Sequence, residues 1–375
     1  MGPTPAHAGP GRAADVPGRL PDVCPARGGR ADLRPGLADR DVRGLCPGRD
    51  QPYVLGGELS PDYHQRSRIQ GWREMAGITG MLSVLAVPAV LESIGGGTRA
   101  DQIAAMGWFI VAIFPLGVLF AITRVPDPPF VGTGAPHLTL RTALVTIARN
   151  RLVRRVLLVD LLVGVPPAIT GALYIFMVEF IVEAPELSSR LLLGYFVAGI
   201  VGIPAWLALS YRIGKHRAFT LGALWHCVTG LLFLTLGPGD SMGLAALTIL
   251  NGFSYGSGTF LLRSVMADVA DTDELETGHS RTGLFYGLLA MTNKVGYALA
   301  VGVAYPVLAL FGFSPSHDMA AGDGPVPGVD ALLAIYVFVP LVMNLSAAAV
   351  MVRFPLDANR LAAVHRALAE RRARA

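Results

Sequence analysis

Lys294 is a charged residue deep inside a long apolar segment. It stands about eleven residues into the segment 283–311, which is roughly 16 Å along a helix at 1.5 Å per residue. Placing an ammonium group at that depth of a membrane costs about 2.5–3.5 kcal/mol, so the group should face the interior of a helix bundle. We predict that Lys294 contacts a polar substrate or pairs with a carboxylate of a cation site. The alternative is an ion pair or a carbonyl contact that only packs helices.

Asp160 and Arg73 are two further candidates in or near apolar segments. Asp160 lies inside an apolar segment and is a candidate intramembrane acid, because such residues usually serve a function. Its alternative role is an ion pair with Arg154 or Arg155. Arg73 lies close to the start of the first long apolar segment. Its five fixed donors suit sugar hydroxyls or a carboxylate, although its depth also allows an interfacial anchor.

A stretch between two apolar segments concentrates carboxylates and is followed by an arginine. It holds Asp268 and Asp271, and Arg281 follows them. The stretch lacks the EF-hand spacing, and the three cysteines of the chain share no metal-ligand spacing, so we expect no metal site. We predict a gate, in which the carboxylates pair with basic loops in one conformation and release them in another. The alternative is a solvated loop.

The composition predicts the framework that positions these residues. Of the 375 residues, 52% are hydrophobic and only 15% are charged, against about 25% charged in soluble domains. Eight apolar segments are long enough to cross a hydrocarbon core of about 30 Å, and helices can do so with every backbone group satisfied. The predicted spans are 70–91, 104–123, 153–181, 189–210, 217–236, 242–263, 283–311 and 330–352. We predict an all-α, polytopic membrane helix bundle.

The basic residues between the spans predict the orientation of the chain. Arg and Lys accumulate in the connections 124–152, 211–217 and 264–282 and in the tail 353–375, whereas Arg99 is the main exception on the other side. This alternation is the positive-inside pattern. It predicts a multi-pass protein of the cell inner membrane with a cytoplasmic C-terminus and a cytoplasmic gate. Because basic loops explain the small net charge of +4, we expect a lipid bilayer and no nucleic acid as partner.

The connection 124–152 divides the predicted spans into two unequal groups. Its Pro and Gly content is typical of a linker. A long cytoplasmic linker before a six-helix bundle at 153–352 fits the two-halves plan of major facilitator transporters. On that plan, 51–123 is the remnant of the N-terminal half with two clear transmembrane helices. The predicted fold is therefore a major facilitator fold that lacks most of the first half.

Residues 1–50 differ in composition from the rest of the chain. They contain eight Arg, eight Pro, nine Gly and seven Ala, and no Lys, Ser, Phe or Ile. Since GC-rich DNA translated in a wrong frame has this composition, we expect an irregular, out-of-frame segment. The alternative is a disordered tail. No apolar run here has the length of a signal-peptide core or of a membrane span.

Two parts of the sequence carry the pattern of a known family. The first combines PYVLGGELSPDY at 52–63 with WRE at 72–74. The second combines the acidic MADVADTDEL at 266–275, the helix entry GLFYG at 283–287 and Lys294. In this combination and order they resemble signatures of the glycoside–pentoside–hexuronide:cation symporter family, the group of the melibiose carrier.

The resemblance covers residues 51–365. It implies twelve helices, a central sugar site and a cation site for Na⁺ or H⁺ built from paired acids on the second helix. It places Arg73 in the sugar site and Lys294 beside the cation site. We therefore expect a monomeric secondary transporter that carries sugars, glycosides or related polar solutes with a cation and needs no cofactor.

Two alternatives to this function differ in what the sequence offers them. The helix that would carry the paired cation acids is not evident, so one alternative is a non-functional, truncated remnant of such a transporter. The other alternative, a membrane enzyme or receptor, is not expected. We find no nucleophile–base pair, no HExxH, no Walker motif and no dinucleotide-binding fingerprint.

Overall fold

The structure, a computed structural model, describes residues 63–93, 99–124, 145, 148–314, 327–356 and 358–374. Within these ranges every regular element is a helix, which confirms the predicted all-α class. The predicted out-of-frame segment 1–50 and most of the predicted linker 124–152 lie outside the described residues.

Ten α-helices follow one another in the described residues. They are α1 (Tyr63–Ser93), α2 (Arg99–Arg124), α3 (Arg151–Met177), α4 (Ser188–Ile213), α5 (Lys215–Leu232), α6 (Ser241–Gly252), α7 (Ser257–Thr277), α8 (Thr282–Leu310), α9 (Val329–Val352) and α10 (Ala358–Arg374). A π-helical turn, Val178–Val182, extends α3. Helices α2 to α5, α8 and α9 match predicted spans to within a few residues.

The predicted span 242–263 consists of two helices. α6 ends at Gly252 and α7 begins at Ser257, with Gly256 between them in the left-handed region at a φ of 80°. Glycine reaches this conformation without the steric cost that a Cβ atom would add. The six predicted spans of 153–352 therefore correspond to seven helices.

Two tryptophan side chains satisfy backbone carbonyl groups at this interruption. The indole N–H of Trp206 on α4 donates to the carbonyl of Phe253 at 3.1 Å. The indole N–H of Trp225 on α5 donates to the carbonyl of Leu250 at 2.7 Å. Non-helical backbone at membrane depth is tolerated where protein groups supply such partners.

Helix α7 extends well beyond the predicted span. It passes through Asp268 and Asp271 to Thr277, so the predicted loop 264–282 is wrong over most of its length. The apolar run ends near residue 263, and hydropathy alone therefore places the end of the helix too early. The helix continues because its acidic side chains are buried in ion pairs with neighbouring helices.

Six of the described helices are long and apolar enough to cross a membrane. They are α2, α3 with its π-helical turn, α4, α5, α8 and α9. Two of the eight predicted spans do not meet this criterion as single helices. α1 carries charged residues along its first half, among them Arg66, Arg73 and Glu74, and α6 has only 12 residues.

Helix α3 lies at the centre of the bundle and packs against α7, α8 and α9. One hydrophobic cluster surrounds its first half and includes Val156 and Phe285. A second cluster surrounds its last turns and includes Leu173 and Tyr336. In contrast, α2 packs along α1, and none of its apolar stretch is buried within the described residues, as expected for a helix whose sides face lipid.

Candidate functional site

Three charged side chains from α1 and α7 meet between these helices. Glu74 Oε2 accepts a hydrogen bond from Arg263 Nη1 at 2.7 Å and another from Arg73 Nη2 at 3.3 Å. The side chains are 17–23% exposed, so they are shielded from bulk solvent but still reachable. We refer to Arg73, Glu74 and Arg263 as the charged triad.

Hydrogen bonds from neighbouring side chains hold the charged triad in place. Arg73 Nε donates to Gln70 Oε1 at 3.0 Å, one turn earlier on α1. The hydroxyl of Tyr286 on α8 donates to the backbone carbonyl of Arg263 at 2.8 Å, and Gln70 Nε2 lies 3.5 Å from the same hydroxyl. Because Gln70 and Tyr286 are buried, α1, α7 and α8 are linked directly beneath the triad.

The interruption between α6 and α7 lies beside the charged triad. A Cβ atom at Gly256 would lie 3.4 Å from Cγ of Glu74, so the backbone passes close to that side chain. The preceding residue, Tyr255, lies with its ring 5.3 Å from the rings of Tyr195 and Phe196. Aromatic rings of this kind can stack on the apolar face of a sugar, although here they also pack against each other.

The charged triad has the chemistry to bind a polar solute. Two guanidinium groups and one carboxylate give it a net charge of +1. The planar guanidinium forks of Arg73 and Arg263 can donate to hydroxyl or carboxylate oxygens, and Glu74 can accept from a hydroxyl. The predicted contribution of Arg73 to a substrate site therefore acquires two partners, which the structure brings to the same place.

Lys294 lies on an exposed face of α8 and is not hydrogen-bonded to the charged triad. Three and four residues later on the same face, Tyr297 and Ala298 line an open groove of about 500 Å³ between α3 and α8. No described residue forms a hydrogen bond or an ion pair with the Lys294 ammonium. The expectation of a buried ammonium is therefore wrong for the described bundle, whereas a role of Lys294 in substrate binding stays a prediction.

Asp160 is buried within the bundle and hydrogen-bonded to a threonine. Its Oδ2 lies 2.7 Å from the hydroxyl of Thr292 on α8. The predicted alternative, an ion pair with Arg154 or Arg155, is wrong, because neither arginine reaches it and Arg155 donates to the backbone carbonyl of Arg353 at 3.2 Å.

A second charged network lies at one end of the bundle. Asp268 accepts from Lys215 on α5 at 2.7 Å and lies 3.4 Å from Arg66 on α1, which also donates to Asp271 at 2.6 Å. Asp268 is only 3% exposed and Lys215 only 1%, so the alternative of a solvated loop is wrong. We refer to Arg66, Lys215, Asp268 and Asp271 as the gate network, whose opening and closing stays a prediction.

Helix α10 covers this end of α7. Its residues Leu361, Val364 and Leu368 are buried at the spacing of one helical face. Between them, His365 Nε2 lies 2.7 Å from Oδ2 of Asp271. The predicted basic tail 353–375 is thus largely a helix that packs on the gate network.

The charge state of Asp271 follows from its surroundings beyond the membrane span. Burial by itself raises the pKa of this carboxyl group, but the hydrogen bonds and charges of His365 and Arg66 outweigh burial. The pKa of Asp271 is therefore held below its usual value. Asp271 stays ionised and paired over the whole neutral range.

Arg281 lies beside Asp273, a carboxylate of the same acidic stretch. Its Nη1 lies 3.7 Å from Oδ2 of Asp273, while the other oxygen of Asp273 accepts from Asn150 Nδ2 at 2.9 Å. Asn150 also caps the start of α3 through its side-chain oxygen. Burial raises the pKa of Asp273, and the Asn150 hydrogen bond and the Arg281 charge oppose this shift. Asp273 therefore ties α7 to the start of α3 through Asn150 and to the start of α8 through Arg281.

Sequence reasoning missed several partners of the predicted residues. Glu74 follows Arg73 directly, and Arg263 is the last residue of a predicted apolar span. At both positions, a charged residue with no assigned partner was the signal that could have found them. Lys215 is one of two lysines in a chain with 29 arginines, which is a similar signal. Within the described residues, no group of three or more His, Cys, Asp or Glu side chains is placed to hold a metal ion.

Comparison with known proteins matches these observations to a family of membrane transporters. The family of MFS/sugar transport proteins matches residues 52–358. The candidate glycoside/cation symporter YagG of Escherichia coli (strain K12) is 22% identical over 329 residues, which cover 86% of this chain and 69% of that protein. The inner membrane symporter YicJ of the same organism is 24% identical over 81% of this chain and 65% of its own length.

Solved structures show the same fold. A bacterial homologue of the iron transporter ferroportin in an outward-facing state has a TM-score of 0.56 at 14% identity, over 80% of this chain and 67% of that one. The major facilitator superfamily transporter FucP in an outward conformation has a TM-score of 0.50 at 15% identity, over 79% and 71% of the two chains. Together with the predicted signatures, these matches identify the chain as a multi-pass membrane protein of the MFS/sugar transport family, within the glycoside–pentoside–hexuronide:cation symporters.

Proposed function

We propose that this protein is a cation-coupled symporter of glycosides or other sugar-like solutes, and that the charged triad binds the solute. The observation that supports this proposal is the partly buried meeting of Arg73, Glu74 and Arg263 between two helices of a transporter fold. In water-poor surroundings their hydrogen bonds to a hydroxyl-rich solute are stronger than at an open surface. The name of one relative, a glycoside/cation symporter, points to the same class of substrate.

The net charge of the triad extends the solute range to anionic sugars. A hexuronide carries a carboxylate, which a guanidinium fork binds through two parallel hydrogen bonds. A neutral glycoside lacks this group and would rely on hydroxyl contacts and on the ring of Tyr255. Both classes therefore belong in the panel of test solutes.

The gate network provides the conformational half of the mechanism. Transporters of this fold rock two groups of helices around a central site. The ion pairs that join Arg66 on α1 to Asp268 and Asp271 on α7 hold one end of these helices together. We place this end and the C-terminus on the cytoplasmic side, since the basic connections lie there. We further propose that the chain works in the inner membrane as a monomer.

The test is binding and uptake of labelled glycosides and glucuronides by the full chain reconstituted in lipid vesicles. Arg73→Lys and Arg263→Lys keep the charge but remove the planar fork. We expect roughly tenfold or greater loss of solute affinity, because a hydrogen bond to a charged group contributes about 1.5–3 kcal/mol. The matched control is Arg68→Lys, since Arg68 is exposed on the same helix.

Two results would contradict the proposal. One is saturable binding of other small solutes with none of any sugar-like compound. The other is an equal effect of the triad variants and the Arg68 control on affinity.

A separate prediction concerns Lys294: Lys294→Ala should lower concentrative uptake more than it lowers protein abundance. Equal losses of both would show that Lys294 is structural.

A further inference from the structure

Two helices approach each other unusually closely beside Asp160. On α3, a Cβ atom at Gly164 would lie 3.2 Å from the backbone carbonyl oxygen of Asn293. On α8, a Cβ atom at Gly296 would lie 3.0 Å from the backbone carbonyl oxygen of Leu161. Small residues let helix backbones come this near in a membrane. The close approach carries the side chain of Asp160 to α8.

The side chain that meets Asp160 has too few hydrogens for its contacts. The hydroxyl oxygen of Thr292 lies 2.7 Å from Asp160 Oδ2, 3.0 Å from the carbonyl of Leu288 and 3.1 Å from the carbonyl of Leu289. A hydroxyl donates one hydrogen and can accept two. If Thr292 donates to the backbone, as helical threonines commonly do, then the shortest contact needs a hydrogen on Asp160.

The pair therefore has two hydrogen-bonding states with the same heavy-atom positions. When Asp160 is ionised, Thr292 turns its hydrogen to Oδ2. When Asp160 is protonated, the carboxyl group donates to the Thr292 oxygen, and Thr292 donates to Leu288. The contact between Oδ2 of Asp160 and the Thr292 oxygen is kept in both states, so gain or loss of the proton breaks no hydrogen bond between the two side chains.

No basic side chain forms a hydrogen-bonded ion pair with Asp160 within the described residues. Arg263 on α7 interacts with Asp160 only electrostatically and at longer range, because its guanidinium group is bonded to Glu74 at 2.7 Å. On α3 itself, Arg155 lies near the start of the helix and donates to the backbone carbonyl of Arg353. The charged residue of α8, Lys294, lies two positions from Thr292 and thus on the opposite face, and α9 carries only Asp330, in its first turn.

We propose that Asp160 and Thr292 form a proton-binding site, and that this proton is the cation coupled to solute transport. The coupling role rests on the proposed function. A proton from water adds to the Asp160 carboxylate, giving a neutral carboxyl group, and later returns to water on the other side. No other reactant takes part. A proton suits the site because two side-chain oxygens converge here, whereas a metal cation needs several oxygen ligands.

A link from this site to the charged triad runs through Arg263. An ionised Asp160 attracts Arg263 and competes with Glu74 for it. Protonation removes this competition and leaves Arg263 to Glu74 and to a bound solute. Proton binding at Asp160 therefore favours solute binding at the triad, and by linkage the solute favours the proton by the same factor.

The first experiment measures protonation without relying on transport. Infrared spectra of the full chain in vesicles are recorded over a pH series, and the C=O band of a protonated carboxyl group is assigned by its loss in Asp160→Asn. We expect this band to appear and disappear over the pH series, which shows that Asp160 gains and loses its proton. Thr292→Val should move its midpoint, because the hydroxyl partner of the carboxyl group is lost, whereas Thr292→Ser should leave it nearly unchanged.

The second experiment measures coupling. With one proton per neutral solute, a gradient of one pH unit sustains about tenfold accumulation. Asp160→Asn should lose this accumulation but retain solute exchange across the membrane. Absence of a pH-dependent carboxyl band that is lost in Asp160→Asn would overturn the proton site. Accumulation driven by Na⁺ but not by pH would overturn proton coupling. Absence of all solute binding would instead refute the proposed function, and the infrared titration would still decide the proton site.

Discussion

The buried ion pair of the gate network gives a prediction that can be worked out in detail. Lys215 Nζ lies 2.7 Å from Asp268 Oδ2, and both residues are almost inaccessible to solvent. The same ammonium lies 3.7 Å from the ring centre of Tyr63. The change Lys215→Met keeps the length of the side chain and much of the contact with the ring, but it removes the charge.

The expected cost follows from the charge that stays behind. Removing one partner of a buried ion pair costs about 3–5 kcal/mol, because the other charge is then uncompensated. Asp268 still lies 3.4 Å from Arg66, so we expect a value at the lower end, roughly 3 kcal/mol. The double change Lys215→Met with Asp268→Leu removes both charges and leaves Arg66 paired with Asp271 at 2.6 Å. The double variant should therefore be more stable than Lys215→Met.

The assay is the free energy of unfolding of the purified protein in mixed micelles, measured as a double-mutant cycle. Arg217→Met is the matched control, since Arg217 is exposed on the same helix. It should change stability by less than about 0.5 kcal/mol. The reasoning fails if the two single changes, Lys215→Met and Asp268→Leu, add within about 0.5 kcal/mol, because additive effects mean that the charges do not interact in the folded protein.

Three further predictions concern packing, pH and topology. Gly202→Ala should destabilise the protein by about 1–3 kcal/mol, because the added Cβ atom meets the backbone at the interruption before α7. Gly230→Ala, which meets nothing within 4 Å, should not, and thermal unfolding of both variants decides the matter. Since the folded pKa of Asp271 lies below its usual value of 3.8, its pairing should contribute stability above about pH 4 and lose it as the pH falls further. A pH series of thermal unfolding should show that loss, and Asp271→Asn should abolish it. Reporter fusions after Asp240 and after Ala375 should report opposite sides of the membrane; the same side for both would refute the topology.

Most of the architecture could be predicted from the sequence because the bilayer imposes a one-dimensional rule. A span of about 20 apolar residues is needed to cross the hydrocarbon core, and hydropathy therefore located α2 to α5, α8 and α9. The rule failed at 242–263 and at 264–282. At the first segment, Gly256 and two tryptophan side chains allow an interruption that hydropathy does not register. At the second, buried ion pairs prolong a helix beyond its apolar run.

For the sites too, the sequence determined one part and the tertiary structure another. The sequence by itself marked Arg73, Asp160 and Asp268, because a charge in or near an apolar segment is costly wherever its partner lies. Only the tertiary structure decided the partners, since helix rotation and close approach determine which side chains meet. Asp160 meets Thr292, 132 positions away, because glycines on both helices let the backbones touch. Lys294 shows the converse: its depth is set by sequence, but the face that it occupies is set by how α8 packs on α3.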